Sequence, residues 1–211
     1  IHMEGIMNVL EKVKEIKLVP VVVLNNVEDT IPTIKALRDG DVPVAEICFR
    51  TDCAAECIKV AAKEFPDVLV GAGTVINGAQ CEEAIACGAK FIVSPGLSAE
   101  VAAVCKKHDV PYLPGVVTPT EIMEAISLGL TTLKFFPAGV FGGLKAIKAL
   151  GAAFPAVKFM PTGGVNNDNL AEFIECNKIV ACGGSWVIKG TPEETVQECL
   201  KARAIIKGEN K

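Results

Sequence analysis

The chain has 211 residues, a length that suits one well-filled domain better than two. Half of its residues are hydrophobic, yet no run approaches the roughly 18 uninterrupted apolar residues of a membrane-spanning helix, which excludes a membrane protein. The net charge of −4 argues against a nucleic-acid partner, because contact with a phosphate backbone requires a basic surface.

A short apolar run, a turn with Gly, Pro, Asn or Thr, and an amphipathic stretch recur along the chain. The eight apolar runs are Val19–Leu24, Val44–Phe49, Leu69–Thr74, Phe91–Pro95, Val110–Val117, Thr131–Pro137, Lys158–Gly163 and Ile179–Ser185. This alternation predicts βα units and a parallel sheet, and eight units predict that residues 1–211 form a single α/β domain, a (β/α)8 TIM barrel. An open doubly wound sheet is the alternative, but the first run is not followed by GxGxxG.

Capping residues divide the helices from the turns. N-caps are predicted at Asp52, Asn77, Ser98 and Thr191. Helix ends are predicted near Gly40, Gly88, Gly129 and Gly151. A preliminary helix, Ile6–Ile16, is expected to close the bottom of the barrel.

The first three residues and the cysteines indicate how the chain was produced and in which compartment it works. Ile1, His2 and Met3 resemble a vector remnant, which would leave His108 as the only native histidine. The nine cysteines contain no CxxC pair. Their odd number, without a secretion signal, predicts reduced thiols in the cytoplasm.

Lys134 is the most informative polar residue, because it interrupts the apolar run Thr131–Pro137 between Leu133 and Phe135. Loss of hydration disfavours the charged form of a buried lysine, and the neutral amine is the nucleophile that a Schiff base requires. The alternative is a lysine that reaches the strand end or pairs with a carboxylate for purely structural reasons.

Glu46 lies in the second apolar run and Arg50 directly follows that run, and the two share one face of the strand because strand side chains alternate. Four residues of strand separate them by roughly 13 Å, so we expect different partners for the two. Glu46 would lie deep beside a lysine as a proton shuttle, and Arg50 at the mouth would bind a substrate carboxylate. An internal ion-pair network is the structural alternative.

Glycine-rich segments end three other runs. Gly71–Thr74 combines close backbone approach with a hydroxyl, although a tight βα turn also explains its glycines. Pro161–Val165 and Gly183–Ser185 lie at the ends of the seventh and eighth runs. Loops at these two positions of a barrel commonly bind phosphate through backbone N–H groups.

Several chemistries are excluded by the scarcity of histidine. His108 lies in a polar helix end and cannot supply the several ligands of a class II aldolase metal. The sequence contains no Gly-x-Ser-x-Gly elbow, and neither a catalytic triad nor a cysteine nucleophile has a suitable histidine. We therefore expect no metal and no cofactor.

Taken together, these segments resemble the family of 2-keto-3-deoxy-6-phosphogluconate (KDPG) and 4-hydroxy-2-oxoglutarate (KHG) aldolases. The matching segments, in order, are Val19–Val21, Glu46–Thr51, Gly71–Val75, Ser94–Gly96, Pro114–Val116, Lys134–Pro137, Pro161–Val165 and Gly183–Trp186. They span nearly the whole chain, and their combination is far more specific than any one of them.

The resemblance implies a role for each matched position. Lys134 corresponds to the Schiff-base lysine and Glu46 to the general acid/base. The other implied contacts are the pyruvyl carboxylate at Arg50 and Thr74, the substrate hydroxyl at Thr162, the pocket walls at Pro95 and Phe136, and phosphate at Gly163, Gly164, Gly184 and Ser185. The implied enzyme is a cytoplasmic class I aldolase, commonly a homotrimer, that acts on a small keto acid.

The substrate stays open at this stage. Some family members carry an arginine at the end of the first strand, where this chain has Val21–Asn26. KDPG, its galactonate epimer and unphosphorylated KHG therefore all remain candidates. Two further alternatives are a phosphosugar isomerase or epimerase, which leaves Lys134 unexplained, and a non-catalytic barrel that binds a phosphosugar or keto acid.

Overall fold

The computed structural model describes residues 2–209, with side chains from residue 8 onward. The predicted vector remnant at Ile1–Met3 lies outside these fully described residues. The helices are α1 His2–Ile16, α2 Thr30–Asp39, α3 Ala54–Glu64, α4 Gly78–Ala86, α5 Ala99–Lys107, α6 Pro119–Ser127, α7 Gly143–Ala153, α8 Leu170–Ile174 and α9 Pro192–Lys207. The strands are β1 Leu18–Val22, β2 Val44–Cys48, β3 Leu69–Gly73, β4 Ile92–Val93, β5 Tyr112–Leu113, β6 Gly115–Val116, β7 Thr132–Phe135, β8 Lys158–Pro161 and β9 Cys182–Gly184.

The strands form a curled parallel sheet of six, in the order β5-β4-β3-β2-β1-β9, and a second sheet of three, β6-β7-β8. All strand pairs are parallel, which confirms an α/β fold with a parallel sheet. Isolated parallel bridges join Phe159 to Ile179 and Thr162 to Gly183, between the β8 and β9 segments.

The predicted fifth strand is divided in two. Pro114 separates β5 from β6, and proline has no N–H to contribute to a ladder. Its carbonyl oxygen still accepts a 2.8 Å hydrogen bond from the backbone N–H of Lys134. The chain thus passes from the six-stranded sheet to the three-stranded sheet at this proline.

The strands are mostly apolar because helices cover the sheet, and Glu46 and Lys134 are exceptions. Every residue of β1, β2 and β3 is buried, as expected for parallel strands that are covered on both faces. Among the described residues, no helix is both long enough and apolar enough to traverse a bilayer.

Helix starts agree with the predicted caps at three positions. Asn77 and Ser98 accept N-cap hydrogen bonds at α4 and α5, and Thr191 forms a capping box at α9. The prediction for Asp52 is wrong, because α3 begins later, after Cys53. Cys53 makes no side-chain cap, so local cap chemistry does not decide where α3 begins.

Three of the four glycines predicted to end helices do lie at helix ends. Gly40, Gly88 and Gly129 lie at or just after the ends of α2, α4 and α6. The prediction for Gly151 is wrong, because α7 continues to Ala153. A Cβ atom on Gly151 would lie 2.8 Å from the side chain of Lys178, so this glycine serves packing rather than termination. The predicted first helix is confirmed and begins earlier, at His2.

Candidate active site

Lys134 and Glu46 meet in the interior, although 88 positions separate them in the sequence. Lys134 lies on β7 and Glu46 on β2, and their side chains are 4% and 0% exposed. Nζ of Lys134 lies 3.5 Å from Oε1 of Glu46, while Oε2 has no hydrogen-bond partner within the described part of the chain. The two groups lie at the outer limit of hydrogen-bond distance, a separation that proton transfer can cross after a small approach or through one water, and one carboxyl oxygen is left for a further contact.

Burial raises the pKa of the Glu46 carboxyl group above its ordinary value of 4.5. The ammonium group of Lys134 opposes this shift, and the guanidinium group of Arg50 opposes it less. Because burial prevails, Glu46 keeps its proton to a higher pH than an exposed glutamate. A carboxyl group perturbed in this way suits general acid/base work.

Gly73 on β3 provides the space that the carboxyl group of Glu46 occupies. A Cβ atom on Gly73 would lie 2.6 Å from Cγ and 2.7 Å from Cδ of Glu46, far inside van der Waals contact. Gly71 makes room for the ring of Phe91 in the same manner. The two glycines of this run therefore admit neighbouring side chains, a function that neither sequence interpretation anticipated.

Arg50 and Thr74 form a second pair, closer to solvent. The Nε–H group of Arg50 donates a 3.0 Å hydrogen bond to Oγ1 of Thr74, and the Arg50 side chain is exposed. Thr74 has a φ of 55°, a left-handed conformation that is costly for a β-branched residue. The pair presents a guanidinium group and a hydroxyl group together, which suits a carboxylate ligand.

Phe136 lies beside the Lys134 side chain, and Pro95 packs against the neighbouring strand β6. The ring centroid of Phe136 is 4.9 Å from Nζ of Lys134. The carbonyl group of Pro95 packs so closely against Gly115 that a Cβ atom there would overlap it. Gly115 is paired in register with Lys134, so Pro95 lies one strand beyond the lysine.

Thr162 lies where the β8 and β9 segments meet. It is buried, and its Oγ1 has no hydrogen-bond partner in the part of the chain that the structure describes. The bridge to Gly183 brings the two backbones together, and a Cβ atom on Gly183 would overlap the Thr162 hydroxyl. An unpartnered buried hydroxyl costs free energy, so this oxygen is suited to bind a ligand.

The two glycine loops begin immediately after these segments. Gly163 and Gly164 have φ of 88° and 87°, in the left-handed region that favours glycine. Gly184 ends β9, and Ser185 follows it on the surface. Glycine backbone in the left-handed conformation can approach an anion closely, so the two loops are candidates for phosphate binding.

Two residues near the site were not assigned roles from the sequence. The buried hydroxyl of Ser94 donates to the carbonyl oxygen of Val75, which joins the end of β4 to the segment after Thr74. The sequence feature that could have identified Ser94 was its place in the matching segment Ser94–Gly96. Cys48 packs beside Glu46, and burial raises the pKa of its thiol to about 11, so it is a neutral core residue.

A large surface groove lies elsewhere. Its volume is about 660 Å³, and it is lined by residues of α7, of α8 and of the segment that follows α8. Lys134 and Glu46 do not line it. Among the described residues that line it, the groove lacks a buried pair of a lysine and a carboxyl group such as Lys134 and Glu46, so the chemistry favours the Lys134 region.

Comparisons with known proteins agree with this geometry. Residues 9–201 match the family model for KDPG and KHG aldolase. The 2-dehydro-3-deoxy-phosphogluconate aldolase of Treponema pallidum (strain Nichols) is 43% identical over 180 residues, which cover 85% of this chain and 86% of that protein.

Two solved structures are similar along almost their whole length. The KDPG aldolase of Zymomonas mobilis ZM4 with 3-phosphoglycerate has a TM-score of 0.90 and 34% identity, covering 95% of this chain and 97% of that chain. The KDPG aldolase of Legionella pneumophila, with pyruvate captured as a covalent carbinolamine, has a TM-score of 0.81 and 36% identity, covering 91% and 93%. The fold and these matches define an enzyme of the carbon–carbon lyase class. The chain belongs to the KDPG and KHG aldolase family.

Proposed function

We propose that this protein is a class I aldolase that cleaves KDPG to pyruvate and glyceraldehyde 3-phosphate through a Schiff base on Lys134. The observation that carries the proposal is the buried contact of 3.5 Å between Nζ of Lys134 and Oε1 of Glu46. The amine of a lysine is a nucleophile for a carbonyl carbon, and a neighbouring carboxyl group can carry the protons that the reaction moves. The carbinolamine in the Legionella pneumophila relative supports the same chemistry here.

The proposed reaction begins when the neutral amine of Lys134 attacks the C2 ketone. The carbinolamine loses water to form an iminium ion, which accepts the electrons of the C3–C4 bond. Glu46 removes the C4 hydroxyl proton as that bond breaks, and the aldehyde leaves. Protonation of the resulting enamine at C3 and hydrolysis of the iminium release pyruvate and regenerate the lysine.

Substrate binding is assigned to the groups around this pair. Arg50 and Thr74 hold the carboxylate of the pyruvyl group, and Thr162 binds a substrate hydroxyl. Phe136 and Pro95 form the side walls. The hydrogen bond between Arg50 and Thr74 and the unpartnered Thr162 hydroxyl support these assignments.

Phosphate is assigned to Gly163, Gly164, Gly184 and Ser185. The positive φ angles of Gly163 and Gly164 support an anion cradle in these loops. The Zymomonas mobilis relative was crystallised with a phosphorylated ligand, 3-phosphoglycerate, which favours a phosphorylated substrate over KHG. Cleavage of KHG to pyruvate and glyoxylate and cleavage of the galactonate epimer remain testable activities of the same site.

For the fold, we propose one domain with a closed (β/α)8 barrel. The continuity of β5 and β6 through Pro114 supports closure on one side of the barrel. The bridges from Phe159 to Ile179 and from Thr162 to Gly183 support it on the other. Closure would bring the ends of β2, β7, β8 and β9 around one cavity mouth, where barrel enzymes have their active sites.

The proposed assembly is a homotrimer in the cytoplasm. Val140 and Phe141, in the loop after β7, are 79% and 49% exposed, and a second copy of the chain would cover such apolar side chains. The free thiols of the chain suit a reducing compartment. Light scattering after size-exclusion chromatography tests the trimer, and a monomeric mass at micromolar concentration would contradict it.

The test of the chemistry is mass spectrometry after incubation with pyruvate and borohydride. We expect one reduced pyruvyl adduct, on Lys134, and none in Lys134→Ala. Steady-state assays with KDPG, its galactonate epimer and KHG then rank the substrates. If no keto acid in this panel releases pyruvate faster than with Lys134→Ala, the aldolase proposal is wrong.

A further inference from the structure

A hydrogen-bonded chain connects the two glycine loops beyond the residues assigned above. The indole Nε1–H of Trp186, just after Ser185, donates to Oδ1 of Asn167 at 2.9 Å. Nδ2 of Asn167 in turn donates to Oε1 of Glu198 on α9 at 2.6 Å. One side chain in the loop after β8 therefore holds both the loop after β9 and the helix that follows it.

Two hydrogen bonds of the Asn169 side chain stabilise the loop after β8. Nδ2 of Asn169 donates to the carbonyl oxygen of Gly164 at 2.9 Å, and its Oδ1 accepts from the backbone N–H of Asn166 at 2.9 Å. These bonds tie Gly164 to the segment that contains Asn167. A shift of Asn167 would thus move Gly164 with it.

In the loop after β9, the indole ring of Trp186 packs against Gly184. A Cβ atom on Gly184 would lie 2.5 Å from Cε3 and Cζ3 of Trp186, so the ring packs directly on the glycine backbone. The position of Gly184 and of Ser185 therefore follows the position of the ring. Because Asn167 fixes the edge of that ring, it also fixes the spacing between the two loops.

We propose that Asn167 is a positioning residue that sets this spacing and thereby tunes affinity for phosphorylated substrates. The inference rests on the proposed function, because it assumes that the two loops bind the substrate phosphate. Asn167 acts through Trp186 and through its own loop, without touching the reacting atoms. Amides from both loops must converge on one anion, so a change in their separation weakens binding while the Lys134 region is unaffected.

The test compares Asn167→Ala with Trp186→Phe, which keeps an aromatic ring on Gly184 but lacks the indole N–H. For both variants we expect KM for KDPG to rise about three- to tenfold, the usual effect of one lost hydrogen bond, with kcat unchanged. Exchange of the methyl protons of pyruvate in deuterium oxide reports on Lys134 without phosphate and should keep its wild-type rate. Asn177→Ala is the matched control, because this exposed asparagine makes no side-chain hydrogen bond in the described structure.

The outcomes separate the inference from the function on which it rests. An unchanged KM for KDPG, or an equal loss in KDPG cleavage and pyruvate exchange, would overturn the positioning role. If Asn167→Ala does not fold, Trp186→Phe alone decides. If the wild-type protein cleaves no keto acid, the proposed function fails, and calorimetry with inorganic phosphate then tests the spacing: weaker binding by Asn167→Ala than by Asn177→Ala supports it, and equal binding refutes it.

Discussion

Replacing Gly73 with alanine tests whether the position of Glu46 controls activity. The new methyl carbon would lie 2.7 Å from Cδ of Glu46, so the carboxyl group must retreat by about 0.8 Å to reach an ordinary carbon–carbon contact near 3.5 Å. A misplacement of about 1 Å at a catalytic group can lower the rate by about 100-fold. We therefore expect kcat for KDPG cleavage to fall by roughly 10- to 100-fold.

The assay follows pyruvate release under saturating KDPG, alongside the melting temperature. Overpacking of this buried position should also cost about 1 to 3 kcal/mol of unfolding free energy. Gly190→Ala is the matched control, because its Cβ would lie at an ordinary 3.5 Å from Oε2 of Glu194. If Gly73→Ala folds and keeps the wild-type kcat, the placement of Glu46 does not limit the reaction and the reasoning is refuted.

Three further predictions concern pH and stability. Burial raises the pKa of Glu46 above 4.5, and the proposed mechanism needs the carboxylate form of this residue. We therefore expect kcat/KM to fall on acidification with a midpoint above pH 4.5. A midpoint at or below pH 4.5 in the pH profile of kcat/KM would contradict this prediction. The Lys207 ammonium group, aided by Arg203, lowers the pKa of Asp41 below 3.8, so Asp41→Asn should cost at most about 1 kcal/mol at pH 7 after solvent screening. Urea unfolding should show that cost above pH 3.8 and its loss as the pH falls through the lowered pKa, whereas a constant difference would refute the assignment. Thr191→Ala removes the capping box of α9 and should cost about 1 kcal/mol by calorimetry, and an unchanged melting temperature would show that the cap is dispensable.

Much of the fold could be predicted because parallel strands have a simple signature. Strands covered on both faces are continuous apolar runs, and each of the eight predicted runs overlaps an observed strand. Side-chain caps have a similarly local cause, which is why Asn77, Ser98 and Thr191 were predicted correctly. Asp52 and Gly151 failed because α3 begins without a side-chain cap and Gly151 packs against Lys178 inside α7.

The candidate site divides in the same way. A lysine or a glutamate within an apolar run is conspicuous in the sequence, since burying such a group requires a reason, and Lys134 and Glu46 were identified on that ground alone. Glycines at strand ends were also visible. Their purpose was not, because the space that Gly73 leaves for Glu46 depends on the register between β2 and β3.

By itself, therefore, the sequence determined which segments are strands and helices and which polar side chains they carry into the interior. These are properties of neighbouring residues, and periodicity and capping chemistry encode them directly. Only the tertiary structure decided that Lys134 lies 3.5 Å from Glu46, and that Trp186 bonds to Asn167 across two loops. Such contacts join distant positions through strand order and register, which result from the packing of the whole chain and leave no local pattern.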